Sequence, residues 1–279
     1  MPEGDTVYRA AAHLDRALRG RALTVFDLRV PRFATSDLTG ETVDEVVAVG
    51  KHLLHRIGGA WTLHTRLGMD GAWHLSRPGD RWRRPRHLAR AVLEVPQVVA
   101  VGFELPVVEL LPRDEEASAV GHLGPDLLGP GWDQDEAIRR IAADPGRELG
   151  AALLDQRNLA GLGNEYVVEL CFLRGIAPQT TVAEAGPLEP IVELAHRLIR
   201  ANRDRVERTT TGDTRRGRRT FVYGRAGEPC RRCGTRIVRE LHGAGSGRGG
   251  GDRASRSGAP LDERVSFRCP RCQPRHPDG

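Results

Sequence analysis

Two short cysteine pairs, Cys230-x2-Cys233 and Cys269-x2-Cys272, constrain this chain more than any other feature. Two residues between cysteines is the spacing of a metal knuckle, and two knuckles together supply four thiolates. In a chain without secretory marks the thiols stay reduced, so the pairs read as one Zn2+ site rather than as disulfides. Four thiolates close the tetrahedron, which argues against a zinc hydrolase and for a structural ion that folds a ribbon too short to bury its own core. The remaining cysteine, Cys171, sits in the helical pattern Val167 to Leu173 and reads as a buried apolar thiol.

A chain of 279 residues is expected to form two domains with a small third module. No apolar run is long enough to span a bilayer, and the start Met1-Pro2-Glu3-Gly4-Asp5 lacks the basic and apolar stretches of a signal peptide, so the expectation is a cytoplasmic protein without a membrane partner. Charge is unevenly placed. Residues 215–279 hold 16 arginines against 6 acids, a net of +10, whereas residues 1–214 carry −5. Such asymmetry suggests that the C-terminal part meets a polyanion.

Residues 5–19 have helical spacing, with Asp5 or Thr6 as cap, Val7, Ala10, Ala11, Leu14 and Leu18 on one face, and Gly20 as the stop. From about 21 to 111 short β-rich runs replace it: 23–26, 43–49, 52–57, 61–64, 91–95, 98–101 and 107–111. That density of strands predicts a β-sandwich. A Gly/Pro-rich passage, 125–132, reads as a link between a first domain (1–124) and a helical one (133–225), with helices near 133–143, 147–157, 164–174 and 187–207. The cysteine module occupies 226–276, and its Gly/Ser/Arg-rich stretch 242–260 reads as a flexible insertion at a hairpin tip. The predicted class is α+β, multidomain.

Lys51 is the single lysine among 41 arginines. Codon bias explains the arginines; it leaves open whether Lys51 survives by chance or because a lysine can give up or take a proton and an arginine cannot. Proline is common at position 2, so Met-Pro-Glu read alone also fits an ordinary start; Pro2 nevertheless becomes a terminal secondary amine once Met1 is removed. Such an amine titrates at about 8, and the positive end of the following helix favours its neutral, nucleophilic form. Attack on a sugar C1′ would give an iminium that acidifies C2′ and permits loss of the 3′ phosphate, with Glu3 placed to move a proton to or from the ring oxygen. The turn Asn158 to Gly163 followed by Asn164 fits an anion cradle at a helix start and equally fits an ordinary capped turn. Arg264, five residues before Cys269, would present a guanidinium from the returning strand of the hairpin to a phosphate.

Four stretches taken in order resemble the formamidopyrimidine-DNA glycosylase and endonuclease VIII family of base-excision repair enzymes: Met1 to Gly4, Gly50 to Leu53, Leu154 to Tyr166, and Val222 to Arg225 continuing to Gln273. The resemblance implies an N-terminal β-sandwich with a leading helix, a helix-two-turn-helix domain and a zinc-finger β-hairpin. It implies Pro2 as Schiff-base nucleophile, Glu3 as proton donor to the sugar, Lys51 as the acid or phosphate contact needed for strand scission, and Asn164 and Arg264 as grips on the phosphates flanking a lesion. The implied partner is damaged DNA, duplex in preference with single strands as the alternative, and the implied state is a monomer with one structural Zn2+.

Pro-Glu-Gly is more similar to the endonuclease VIII branch, which acts on oxidised pyrimidines, than to the purine branch. Met69, in Arg66 to Gly71, falls where family members insert a side chain into the space left by a flipped nucleotide; a core methionine at a strand turn is the other reading. Two departures stand out. Asp5-Thr6 replaces the family's Pro-Glu, removing a second carboxylate near Pro2, and the spacing between knuckles is about 19 residues longer than the resemblance would imply. These departures keep a non-catalytic lesion-binding protein of the same fold as the alternative, beside an oxidised-purine glycosylase.

Overall fold

Helix α1 spans Gly4–Leu18 because its apolar residues recur on one face: Val7, Ala11, Leu14 and Leu18 are all buried. It begins one residue earlier than Asp5, with Glu3 in extended conformation as its cap, and Asp5 lies in the first turn with Oδ1 accepting the Thr6 amide at 2.7 Å. Gly20, at φ +71°, ends the helix where a side chain would be strained. The computed structural model describes residues 2–242 and 264–275, so the insertion 242–260 lies, except for His242, outside the described residues. The chain divides into two units, Met1–Leu123 and Gly124–Gly279.

In the first unit eight strands form two antiparallel sheets. Strands β2 (Val43–Val49), β3 (His52–Ile57), β4 (Trp61–Arg66) and β8 (Val107–Pro112) make one, in the order β2-β3-β4-β8. Strands β1 (Val25–Leu28), β6 (Ala89–Val95), β7 (Val98–Phe103) and β5 (Ala72–Ser76) make the other, in the order β1-β6-β7-β5. Alternation decides which side chains turn inward: Leu53, Ile57 and Leu63 from the first sheet meet Phe26, Leu28, Leu93 and Ala100 from the second, and α1 closes the same core. Each such leucine contributes about 1.5–3 kcal/mol by leaving water. On the other face of β3 and β4, Arg56 pairs with Glu116 of the short helix α2 (Glu116–Val120), and Thr62 Oγ1 donates to the same carboxylate at 2.8 Å.

The second unit packs α3 (Gln134–Ala142), α4 (Leu149–Leu154), α5 (Asn164–Arg174) and α6 (Glu189–Asn202) around Leu153, Leu162, Tyr166, Leu170, Ile191 and Ile199. Leu127, within the Gly/Pro-rich passage, is buried in this core. Asp133 caps α3 by accepting the Glu136 amide at 2.9 Å. Strands β9 (Val238–His242) and β10 (Arg264–Arg268) form an antiparallel hairpin, and its knuckles share a small core with Val168 and Phe172 of α5. The sandwich, the helices and the cysteine hairpin follow the architecture expected from the sequence.

Candidate functional site

One end of the sandwich collects four of the residues singled out by sequence. The Gly20 amide donates to the Val43 carbonyl, and further along the Val46 amide donates to Asp15 Oδ1, both at 2.8 Å, so α1 and β2 run antiparallel. Going back along α1 from Leu18 to Gly4 covers roughly 21 Å, and going forward along β2 from Val43 to Val49 covers about 20 Å. Pro2 and Glu3 therefore lie level with the turn that follows Val49. That turn is Gly50-Lys51, closed by the pair Val49 and His52; Gly50 has φ +57°, as a two-residue hairpin with glycine first requires. His52 is in turn paired with Arg66, so the β4–β5 turn carrying Met69 sits at the same end.

Burial separates their roles. Glu3 is fully buried and Asp5 nearly so, which puts one carboxyl group on the cap residue and one in the first turn of α1, where the helix dipole favours negative charge. Pro2 and Lys51 are half-buried. Met69 is 67% exposed, which removes the core-methionine reading. Its turn is fixed by Gly68 at φ +60° and by Gly71, where a Cβ would lie 2.3 Å from the Leu67 carbonyl oxygen.

Behind Lys51 runs a chain of hydrogen bonds that the sequence did not reveal. His52 Nδ1 lies 2.8 Å from His64 Nε2, and His64 Nδ1 lies 2.9 Å from Glu109 Oε2. A carboxylate accepts, so His64 carries its proton on Nδ1 and offers Nε2 as acceptor, which places the His52 proton on Nδ1. Both rings are neutral: burial pushes His64 down against the pull of Glu109, and burial, with Arg66, His64, His122 and Lys51 nearby, pushes His52 down to about 3. The only trace in the sequence is a histidine at the start of one strand and another on the next, partners visible only once the register is known.

In the second unit the Leu154 to Tyr166 stretch braces itself. Gln156 Nε2 donates to the Leu154 and Leu162 carbonyls at 2.7 and 3.0 Å, its Oε1 accepts the Gly161 amide at 3.0 Å, and Gly161 takes φ +111°. Asn164 opens α5, yet its side chain is buried and Nδ2 donates to the Val265 carbonyl at 2.7 Å. The structure thus brings Asn164 against the backbone next to Arg264, which opens β10 paired with His242. Sequence reasoning also passed over Glu169, an acid inside the apolar run of α5. Fully buried, it accepts the amides of Phe221, Val222 and Tyr223 at 2.7–2.8 Å and the Thr210 hydroxyl; burial still pushes its carboxyl up.

The sulfurs of Cys230, Cys233, Cys269 and Cys272 all lie within 4.8 Å of one another, with Cys233 to Cys269 at 3.4 Å and Cys230 to Cys272 at 3.9 Å. Four thiolates about 2.3 Å from one ion stand roughly 3.8 Å apart. The donor set therefore fits a tetrahedral metal. Gln273 fixes the second knuckle: Oε1 accepts the Cys269 amide at 3.0 Å and Nε2 donates to the Ile176 carbonyl at 2.8 Å. Cys171 stands apart, fully buried, and burial pushes its thiol up to about 12, as an inert core cysteine requires.

A β-sandwich led by a Pro-Glu helix start, together with a helical unit bearing a four-cysteine hairpin, defines a class of DNA-repair fold. Residues 1–103 match the family model described as "Formamidopyrimidine-DNA glycosylase N-terminal domain". Over 98% of its length the chain is 51% identical to "Probable endonuclease 8 2" of Streptomyces coelicolor, covering 94% of that protein. It is 47% identical to "DNA-(apurinic or apyrimidinic site) lyase Nei2" of Mycolicibacterium smegmatis, covering 98% of this chain and 99% of that one. The fold is also that of Lactococcus lactis formamidopyrimidine-DNA glycosylase, solved non-covalently bound to DNA containing an abasic site, with TM-score 0.75 and 20% identity over 98% of this chain and 100% of that one. The chain belongs to the formamidopyrimidine-DNA glycosylase and endonuclease 8 family.

Proposed function

We propose that this protein is a base-excision repair enzyme, a bifunctional DNA glycosylase and abasic-site lyase that removes oxidised bases, pyrimidines in preference, through the amine of Pro2. The observation that carries the reading is the placement of Pro2, the buried Glu3, Lys51 and the exposed Met69 at one end of the sandwich. Its relatives named as endonuclease 8 and as abasic-site lyase support it.

With Met1 removed, the Pro2 nitrogen attacks C1′ of the damaged nucleoside. The N–C1′ bond forms as the glycosidic bond breaks, the base departs with a proton, and the ring opens as Glu3 protonates the ring oxygen. The secondary amine makes the resulting iminium cationic at any pH. It acidifies C2′; loss of that proton expels the 3′ phosphate and cuts the strand, and water then releases the sugar remnant from Pro2. Lys51 supplies a proton or holds the departing phosphate; as the single lysine of the sequence it can give up a proton where an arginine cannot. Met69 fills the space left by the everted nucleotide, and Asn164 and Arg264 hold the phosphates beside it. Cys230, Cys233, Cys269 and Cys272 hold one Zn2+, which cross-links the two knuckles and takes no part in the chemistry.

Borohydride reduction of the protein on duplex DNA carrying 5-hydroxyuracil, 8-oxoguanine or a preformed abasic site tests this reading, with the mass of the protein reporting whether Met1 is gone. The expected result is a covalent adduct on 5-hydroxyuracil and on the abasic site that vanishes in protein that keeps Met1, where the Pro2 nitrogen is an amide. An adduct that persists with Met1 in place moves the nucleophile elsewhere, and no adduct on any of the three once Met1 is gone removes the lyase.

A further inference from the structure

The outer face of the β1-β6-β7-β5 sheet holds a cavity of about 520 Å³ whose lining includes none of Pro2, Glu3, Lys51 or Met69. Register sets His74 opposite Val101 on this face, and Ala72 opposite Phe103. Val101 and Phe103 here belong to a small apolar layer separate from the main core. The connection from β5 to β6 folds over that layer and places Trp82 with its ring edge-on to Phe103, centroids 5.9 Å apart. The guanidiniums of Arg29 and Arg86 stand 5.3 and 5.1 Å from the centroid of Trp82 and hold the indole in place. His74 lies 5.2 Å from Phe103, and its Nδ1 is buried without a hydrogen-bond partner in the protein. Without a partner in the chain, this nitrogen is available to a group that enters the cavity. Burial, with Arg84 and Arg83 nearby, pushes the ring down and keeps it neutral.

The rim is cationic. Between Arg77 and Arg90 the sequence holds six arginines against one aspartate, a net of +5 that equals the net charge of the whole chain. Arg84 is taken up by Glu104 and by the Asp70 carbonyl. Arg81 and Arg83, both exposed and both on the cavity wall, form no ion pair among the described residues. Aromatic surfaces, one hydrogen-bonding nitrogen and guanidiniums at the mouth are the chemistry that sites for single-stranded nucleic acid use.

We propose that this cavity binds one unpaired nucleotide of a DNA strand, with the base against Trp82, His74 and Phe103 and the phosphate on Arg81 and Arg83. A nucleotide within a strand suits the site better than a free one, because exposed Arg77 and Arg86 extend the positive surface beyond the rim for adjoining phosphates. The site is independent of the chemistry at Pro2, and the two readings stand or fall separately.

Fluorescence anisotropy of a labelled, undamaged oligothymidylate tests it on the full chain. Arg81→Ser with Arg83→Ser, and separately Trp82→Leu, should each weaken binding about tenfold. The arginine pair is exposed and should leave the melting temperature unchanged, so it keeps the test valid if Trp82→Leu does not fold. The same double variant should cleave a short blunt duplex with an abasic site at the wild-type rate, which separates this site from the lyase. Unchanged oligothymidylate affinity in the arginine double variant, or in a folded Trp82→Leu variant, overturns the proposal. Thymidine 5′-monophosphate binding as tightly as the oligomer overturns the assignment to a strand.

Discussion

His52 Nδ1 and His64 Nε2 stand 2.8 Å apart with their rings stacked, centroids at 4.9 Å and planes 13° apart. One proton lies in the hydrogen bond between the two rings, and burial keeps both rings neutral. Because the fold holds His52 neutral down to about pH 3 while the unfolded chain binds a proton near pH 6.5, the unfolded state takes up more protons between those values. The stabilisation is complete above pH 6.5 and is lost as pH falls. Stability should drop by about 2 kcal/mol between pH 6.5 and 5 on account of this one residue. Urea titrations at the two pH values check this; the drop should be smaller in His52→Gln, and an equal drop there would place the acid sensitivity elsewhere.

Asn164 ties the start of α5 to the strand that carries Arg264. Asn164→Ala leaves the Val265 carbonyl without that donor, and a lost buried partner costs about 1–3 kcal/mol. We expect a lower melting temperature and weaker binding of abasic-site duplex, with the covalent adduct at saturating DNA retained. Loss of the adduct under saturation would give Asn164 a part in the reaction itself.

Met69 offers the opposite profile. Exposed as it is, Met69→Ala should change stability by no more than about 0.5 kcal/mol. Affinity for duplex containing a lesion should nevertheless fall, while affinity for undamaged duplex stays the same. Equal loss on both duplexes would make Met69 a general contact rather than a wedge.

Lys51→Ala should slow strand scission roughly a hundredfold or more, the range for a lost proton donor, and alter duplex affinity far less. Single-turnover cleavage of a preformed abasic site set beside equilibrium binding separates the two effects. Matching losses would reduce Lys51 to a phosphate clamp.

For the cysteine cluster, metal analysis of the purified protein should give one Zn2+ per chain. Cys269→Ser should lose the ion together with most DNA affinity, because Cys269 is fully buried in the core that the knuckles share with Phe172. A metal-free variant with wild-type affinity would contradict a structural ion.

Local patterns wrote much of this molecule openly. The cysteine spacing, the helical face from Val7 to Leu18 and the β-rich runs at 43–49 and 52–57 are each read within a few residues, and each recurs in the structure. What escaped depends on neighbours distant in sequence. Strand β5, with Trp73-His74-Leu75, carries no β-branched residue and gains its place by pairing with β7. Helix α6 stops at Asn202 rather than near 207, because Asn202 turns its amide onto Thr209, donating to its carbonyl and accepting from its amide at 2.9 Å each. Glu109, His64 and His52 come from three strands, so no window of sequence contains them together.

Helix α5 meets the rest of its unit at three heights: Asn164 on Val265, Glu169 on the amides of 221–223, and Val168 and Phe172 against the cysteine knuckles. A strand pair as short as β9 and β10 would be marginally stable at best in isolation. Fastened at these points, it has no low-energy way to open alone, so the slowest-exchanging amides of the hairpin and those of the helix should share one opening event. Whatever loosens the knuckles would then be felt at the first turn of α5, and a lapse in metal supply would register there as a change in amide exchange.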